Sequence, residues 1–159
     1  MRRIALRHTK NLNIMAQRFN IRELAPKAYE KIFTLEDYLK HSELDPVHFE
    51  LIKIRGSQIN GCAFCIDKHT KDALDIGETP RRIFLLDAWK ETGLFTDEER
   101  IILAMTEEIT LIKNQGLTEA TCQEAKKYFS DHYIAHIIMA IVTINAWNRI
   151  AISSRMDVK

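Results

Sequence analysis

The chain has 159 residues, of which 46% are hydrophobic and 28% are charged, and its formal net charge is +1. This length and hydrophobic content suit one globular domain with a sizeable core, and they exclude a disordered chain. The near-neutral charge excludes a broad electrostatic surface for nucleic acid or for anionic membranes. Three cysteines, and no recognisable secretory leader in the first residues, predict a reducing, cytoplasmic environment.

The first residues are basic and lack helical periodicity, so residues 1–14 are expected to be an N-terminal extension. A helical domain is predicted over residues 15–159. Its first clear helix is predicted from Pro26 to Lys40, because apolar residues recur there at intervals of three and four. These residues are Ala28, Ile32, Leu35 and Leu39.

A second helix is predicted to begin at Pro46 and to end before Gly61. Asp45 is suited to the N-cap and Pro46 to the first turn, where a missing amide hydrogen does no harm. The Asn-Gly pair ending at Gly61 tolerates the left-handed conformation in which many helices end. Cys62 therefore falls close to the start of the next helix, which is predicted over residues 62–76.

Three further helices are predicted from their capping residues. A helix resumes at Pro80, which follows a threonine. Thr96 with Glu99 three residues later forms a capping-box pattern, and the apolar run that follows reaches almost to Gly116. Thr118 repeats the N-cap pattern and predicts a short helix after it.

The last predicted helix begins at Asp131 and runs to about Ser153. Residues 132–148 contain no Asp, Glu, Lys or Arg, and this length approaches that of a membrane span. Two histidines and two asparagines within it would be costly in hydrocarbon, so a buried helix is predicted. Its apolar residues cover nearly the whole circumference, which predicts burial against a second subunit. With no strand pattern, the chain is predicted to be all-α, with about six to eight helices.

Two cysteines and a histidine share one face of the predicted helix over residues 62–76. Cys62, Cys65 and His69 fall within about 60° of one another around the helix axis. A thiol with a pKa of ~8.5 is only slightly ionised at neutral pH, and a helix N-terminus alone is too weak to activate it. His69 can accept the proton of Cys65 directly or through one water. Cys62 can then form a disulfide with Cys65 once Cys65 has been oxidised to a sulfenic acid.

Other interpretations of these residues stay open at this point. Glu50 is a weak candidate for a proton relay, because a hairpin of two helices would bring it towards the cysteines, whereas a solvated glutamate is the simpler interpretation. The cysteine pair could instead consist of core thiols, or it could bind zinc together with His69. Structural zinc usually recruits a second cysteine or histidine pair, and none follows, so no metal and no cofactor are expected. Cys122 is isolated and is predicted to be a small core residue.

Two histidines and two asparagines lie on the last predicted helix. His132 and His136 have the four-residue spacing of metal ligands, but Tyr133 stands where an HExxH motif has its glutamate. Packing or subunit-interface roles are therefore predicted for both histidines. Asn145 and Asn148 share another stripe of the helix and are predicted to make interior or intersubunit hydrogen bonds.

The spacing of Glu50, the CxxC pair and His69 belongs to a longer pattern. It comprises the segments ELIKIRGSQINGCAFCIDKHTKDALDIGE, AWKETGLFTDEERIILAMTEEIT and INAWNRIAI. These segments resemble the carboxymuconolactone decarboxylase superfamily, and most closely its alkylhydroperoxidase D branch, over about residues 15–155. The resemblance implies an all-α helical bundle of the alkylhydroperoxidase D-like type that assembles as a trimer or a hexamer.

The resemblance also implies roles for individual residues. Cys65 matches the cysteine that attacks the peroxide, Cys62 the resolving cysteine, and Glu50 and His69 the proton-relay residues. Phe64 occupies the position at which the branch often has a second histidine, so one relay element is absent. The implied activity is that of a thiol-dependent peroxidase or disulfide reductase, which reduces hydroperoxides with electrons from an external dithiol. The alternative is a non-catalytic redox sensor or stress-response binding protein that uses the same disulfide.

Overall fold

The computed structural model describes residues 16–158 of the chain. The N-terminal extension predicted over residues 1–14 lies outside this part. The described residues form eight α-helices and two short 3₁₀ segments, and they contain no β-strand. The predicted all-α fold is therefore confirmed.

The helices are joined by short connections. Their bounds are α1 (Ile21–Leu24), α2 (Pro26–Lys40), α3 (Pro46–Asn60), α4 (Ala63–Asp75), α5 (Pro80–Leu85), α6 (Asp97–Thr110), α7 (Glu119–Ala125) and α8 (Asp131–Ser154). The 3₁₀ segments span Leu86–Glu91 and Ile112–Asn114.

Local capping explains why several helices begin and end where they do. The carboxylate of Asp45 accepts hydrogen bonds from two backbone N–H groups in the first turn of α3. Gly61 ends that helix with a φ of 69°, a left-handed conformation that glycine adopts without strain. Thr96 and Glu99 form the reciprocal hydrogen bonds of a capping box at the start of α6. The sequence therefore located these helix ends correctly.

Helix α6 ends earlier than the apolar pattern predicts, at Thr110 rather than just before Gly116. The carboxylate of Glu108 accepts a hydrogen bond from the backbone N–H of Thr118 at 2.7 Å. This long-range contact folds the chain back over the end of α6. Gln115, with a φ of 86°, takes part in the reversal, so the helix cannot continue through this segment.

Helix α3 lies at the centre of the bundle and packs against α4, α6 and α8. Gly56 allows α3 and α8 to approach closely, because a Cβ atom at this position would lie 3.0 Å from Cγ2 of Ile144. The resulting core holds the start of α4 firmly against α3 and α8. This region carries the cysteine pair.

Helix α8 has the length and composition of a helix that could cross a membrane. Half of its most apolar window is nevertheless buried inside the bundle, where it packs against α2, α3 and α6. Ten of its residues are buried, including Ile137, Ile141 and Ile144. One face of α8 therefore forms part of the core, in agreement with the buried helix that its histidines and asparagines predicted.

Candidate active site

The two cysteines of the CxxC motif lie in contact at the start of α4. Cys62 is the N-cap of this helix and Cys65 lies in its first turn, so both lie near the positive end of the helix dipole. Both thiols are free, and their Sγ atoms are 2.7 Å apart. Because a disulfide bond is about 2.05 Å long, only a short movement is needed to form it.

The contact between the sulfur atoms couples their ionisation. The hydrogen bond between the two sulfur atoms lowers the pKa of Cys62 to about 7, against the opposing effect of burial. The same hydrogen bond, together with burial, raises the pKa of Cys65. The pair therefore holds one negative charge near neutral pH and shares the remaining proton.

A buried histidine and glutamate lie beside the cysteine pair. The hairpin formed by α3 and α4 brings Glu50 to His69, with 2.8 Å between Oε2 of Glu50 and Nδ1 of His69. A hydrogen on Nδ1 donates to the carboxylate, which fixes the ring and leaves a lone pair on Nε2. The structure therefore brings Glu50 to the cysteine helix through His69, an approach that the sequence alone suggested only weakly.

A cavity of about 160 Å³ opens next to this site. Cys65 and His69 both line it, whereas Cys62 lies deeper, with only 1% of its surface exposed. The remaining lining residues are mainly apolar: Tyr29, Phe33, Phe64, Trp147, Ala151 and Met156, with Glu36 and Lys68. A small molecule in the cavity therefore lies against Cys65, whereas Cys62 is not part of the cavity wall.

Lys53 is a buried charge near the site that the sequence analysis did not identify. Its side chain is fully buried, its Nζ lies 2.6 Å from Oε2 of Glu36, and it also lies over the ring of Phe49. Burial lowers the pKa of Lys53, and the carboxylate of Glu36 opposes this effect. The positive charge of Lys53 in turn acts to lower the pKa of Cys65. The sequence feature that could have identified Lys53 is its position between two isoleucines in an apolar stretch of α3.

A network of hydrogen-bonded side-chain amides lies next to the cysteine pair. Asn148 is fully buried and donates from Nδ2 to Oγ of Ser57 at 3.0 Å. Asn60 donates from Nδ2 to the side-chain oxygens of Asn148 and Asn145 at 2.8 and 3.0 Å. The predicted interior hydrogen bonds of Asn145 and Asn148 are therefore confirmed. Asn148 also acts to lower the pKa values of both cysteines.

Cys122 and Phe64 differ in their relation to the site. Cys122 lies on α7 and is partly buried, outside the site. Phe64 lines the cavity, where the resemblance had suggested a histidine. Within residues 16–158, Cys62, Cys65 and His69 do not bring three ligand atoms within 4.8 Å of one another. The zinc interpretation of these three residues therefore lacks the necessary geometry.

Residues 26–108 match the model of the carboxymuconolactone decarboxylase family. YdfG, an uncharacterised protein of Bacillus subtilis (strain 168), is 40% identical over 139 residues, which cover 87% of this chain and 95% of YdfG.

Several solved structures are similar to this fold. ATU0492 from Agrobacterium tumefaciens, a protein of unknown function with a suggested antioxidant defence role of the AhpD type, has a TM-score of 0.85 and 36% identity. The alignment covers 88% of this chain and 96% of ATU0492. A peroxidase-related protein from Ralstonia eutropha JMP134 with an AhpD core has a TM-score of 0.75 and 18% identity, over 85% of this chain and 72% of that one. At this lower identity the likeness concerns the fold alone.

Proposed function

The chain belongs to the carboxymuconolactone decarboxylase family, in its alkylhydroperoxidase D-like branch, and from this we propose that it is a thiol-dependent peroxidase that uses Cys62 and Cys65. One observation carries the proposal. Cys65 lines a cavity beside His69 and at the same time lies 2.7 Å from the sulfur of Cys62. The suggested antioxidant role of ATU0492 points to the same class of chemistry.

The first step is the oxidation of Cys65. Its thiolate attacks the terminal oxygen of a hydroperoxide, a sulfur–oxygen bond forms and the oxygen–oxygen bond breaks. Sulfur loses two electrons to the peroxide and becomes a sulfenic acid, and the other oxygen leaves as an alcohol after it takes up a proton. His69, held by Glu50, accepts the proton of the Cys65 thiol on Nε2 and returns it to the leaving oxygen from its place on the cavity wall.

The second step forms the disulfide. Cys62 gives its proton to the relay, and its thiolate attacks the sulfur of the Cys65 sulfenic acid. A sulfur–sulfur bond forms, the sulfur–oxygen bond breaks, and the hydroxyl group leaves as water with the proton from the relay. The cavity does not need to open for this step, because the two sulfur atoms are already in contact. An external dithiol then reduces the disulfide by thiol–disulfide exchange and restores both thiols.

Peroxide consumption with dithiothreitol as the electron donor tests this proposal. The unmodified chain is expected to consume many equivalents of peroxide, and Cys65→Ser to consume none above the uncatalysed rate. Without dithiothreitol, Cys62→Ser is expected to form a sulfenic acid once, detectable by dimedone trapping, and then to stop. Cys122→Ser is the matched control, because this cysteine lies outside the site.

The redox-sensor alternative gives a different result in the same assay. A sensor would consume about one equivalent of peroxide per chain and change its oligomeric state on oxidation. That outcome, with dithiothreitol present in excess, would refute the peroxidase proposal.

The proposed function also implies a cellular compartment and an oligomeric state. A cysteine pair that must be reduced after each cycle suits the cytoplasm. Exposed apolar side chains on α8, among them Val142 and Ile152, favour a homo-oligomer, a trimer or a hexamer. Sedimentation analysis tests this assembly, and a stable monomer at micromolar concentration would contradict it.

A further inference from the structure

A second group of convergent polar side chains lies where α8 begins. Glu43 comes from the connection between α2 and α3, and His132 and His136 from the first two turns of α8. One ligand atom from each of these residues lies within 4.8 Å of the others. Oε1 of Glu43 is 2.6 Å from Nδ1 of His132 and 3.4 Å from Nδ1 of His136.

The orientation of His136 is fixed by Tyr38. Nε2 of His136 lies 3.1 Å from the hydroxyl oxygen of Tyr38, and the imidazole is buried, with 7% of the residue exposed. Its Nδ1 atom is buried and has no hydrogen-bond partner among the described residues. When the hydrogen lies on Nε2 and donates to Tyr38, Nδ1 presents a lone pair towards the carboxylate of Glu43.

In this tautomer, two electron-rich atoms lie opposite one another. Nδ1 of His136 and Oε1 of Glu43 face each other at 3.4 Å without a hydrogen bond between them. A buried lone pair directed at a carboxylate is unfavourable unless a positive charge lies between the two atoms. Imidazole nitrogens and a carboxylate oxygen are the ligands that Zn²⁺ accepts in proteins.

We propose that Glu43, His132 and His136 bind one Zn²⁺ ion through Oε1 and the two Nδ1 atoms, with water as the fourth ligand. Zinc bond lengths of about 2.0–2.2 Å place tetrahedral ligands roughly 3.3 Å apart, which matches the distance between Glu43 and His136. Glu43 and His132 are exposed, so their closer contact can widen to the same value. Tyr38 holds the second nitrogen of His136, as outer partners of zinc-bound histidines do.

The proposed zinc site is separate from the cysteine pair. Asn148, which acts on both cysteines, lies about three turns, or roughly 18 Å, further along α8 than His136. A bound ion would therefore connect the segment between α2 and α3 to the start of α8, and it would not contact a peroxide at Cys65. The proposal goes beyond the peroxidase function and does not depend on it.

Zinc binding to the purified full chain tests the inference. A Cys62→Ser/Cys65→Ser background removes the thiolate ligands, and chelator treatment removes any metal already bound. Mass-spectrometric metal analysis after gel filtration is expected to find one equivalent of Zn²⁺, and the thermal unfolding midpoint is expected to rise with zinc concentration. His136→Gln and Glu43→Gln are each expected to lose both effects.

Two further variants sharpen the test. Tyr38→Phe removes the partner of Nε2 and is expected to weaken zinc binding by about 10–100-fold while the fold is kept. His41→Ala is the matched control, because this exposed histidine lies near Glu43 in the chain but bonds to Asp37. Failure of the parent to take up zinc would overturn the inference. So would zinc uptake that His136→Gln and Glu43→Gln leave unchanged, or that His41→Ala reduces equally.

Discussion

The ammonium group of Lys53 lies 2.6 Å from the carboxylate of Glu36 and is fully buried in the bundle. A charge that has left water is tolerated only where a partner compensates it, so this contact joins α2 to α3. The positive charge of Lys53 also favours a thiolate at Cys65. The ion pair is therefore expected to influence both folding and thiol reactivity.

Removal of Lys53 separates these two effects. Lys53→Met leaves Glu36 without its partner and is expected to destabilise the protein by about 3–5 kcal/mol. In Lys53→Met/Glu36→Leu no charge is left uncompensated, so stability is expected to recover largely, while ionisation of the cysteine pair stays shifted to higher pH. Denaturant unfolding and ultraviolet thiolate absorbance measure the two quantities. An unchanged thiol titration in the double variant would contradict the role of Lys53.

The reactivity of the cysteine pair is expected to depend on pH near neutrality. Because the pKa of Cys62 is lowered to about 7, the pair carries its negative charge above this pH and loses it as the pH falls below. Alkylation by iodoacetamide should therefore reach half of its maximal rate near pH 7. Cys65→Ala removes the hydrogen-bond partner of Cys62, and the midpoint should then rise. A midpoint near the ordinary thiol pKa of ~8.5 in both proteins would count against the coupling.

The pair formed by Glu50 and His69 is expected to matter for peroxide turnover. His69→Ala removes the proton donor and should lower kcat/KM by about 10²–10⁴-fold. Glu50→Gln keeps a hydrogen-bond acceptor without its charge, so a smaller loss is expected. Asp72→Asn is the matched control. Its Oδ2 also lies near Nδ1 of His69, but at 4.0 Å it is too far away to hold the ring by a hydrogen bond, as Glu50 does. Equal activities of His69→Ala and Asp72→Asn would exclude the relay.

The apolar cavity wall predicts a preference for organic hydroperoxides. Each buried methylene group contributes about 0.8 kcal/mol, so cumene hydroperoxide should exceed hydrogen peroxide in kcat/KM by about tenfold or more. Phe33→Ala removes part of the wall at an exposed position and should reduce this ratio. Phe84→Ala provides the control, because Phe84 is exposed and does not line this cavity. A ratio that Phe33→Ala leaves unchanged would show that this wall does not select the substrate.

The close approach of α3 and α8 at Gly56 predicts a stability effect. Alanine in place of a helical glycine usually stabilises by about 1 kcal/mol, but overpacking a core costs about 1–3 kcal/mol. Because Ile144 is fully buried and cannot easily move away, Gly56→Ala is expected to be neutral or to destabilise by up to about 2 kcal/mol. Gly93→Ala is the control, since a Cβ there meets no atom within 4 Å. Thermal unfolding in which Gly56→Ala is the more stable of the two would contradict the packing.

The sequence by itself determined most helix ends. The capping side chain of Asp45, the left-handed turn at Gly61 and the capping box at Thr96 act through atoms a few residues away, so their residue types suffice for prediction. The same local geometry puts Cys62 and Cys65 close together at the start of α4. These features depend on helical spacing and very little on how the helices pack.

Tertiary structure decided the relationships between helices. It brought Glu50 to His69, buried Lys53 against Glu36, and exposed the sulfur of Cys65 to the cavity in preference to that of Cys62. It also ended α6 early, through a hydrogen bond between residues ten positions apart. Such contacts depend on the angle and separation at which helices pack, and these are set by the fit of many side chains at once. No short stretch of sequence contains that information.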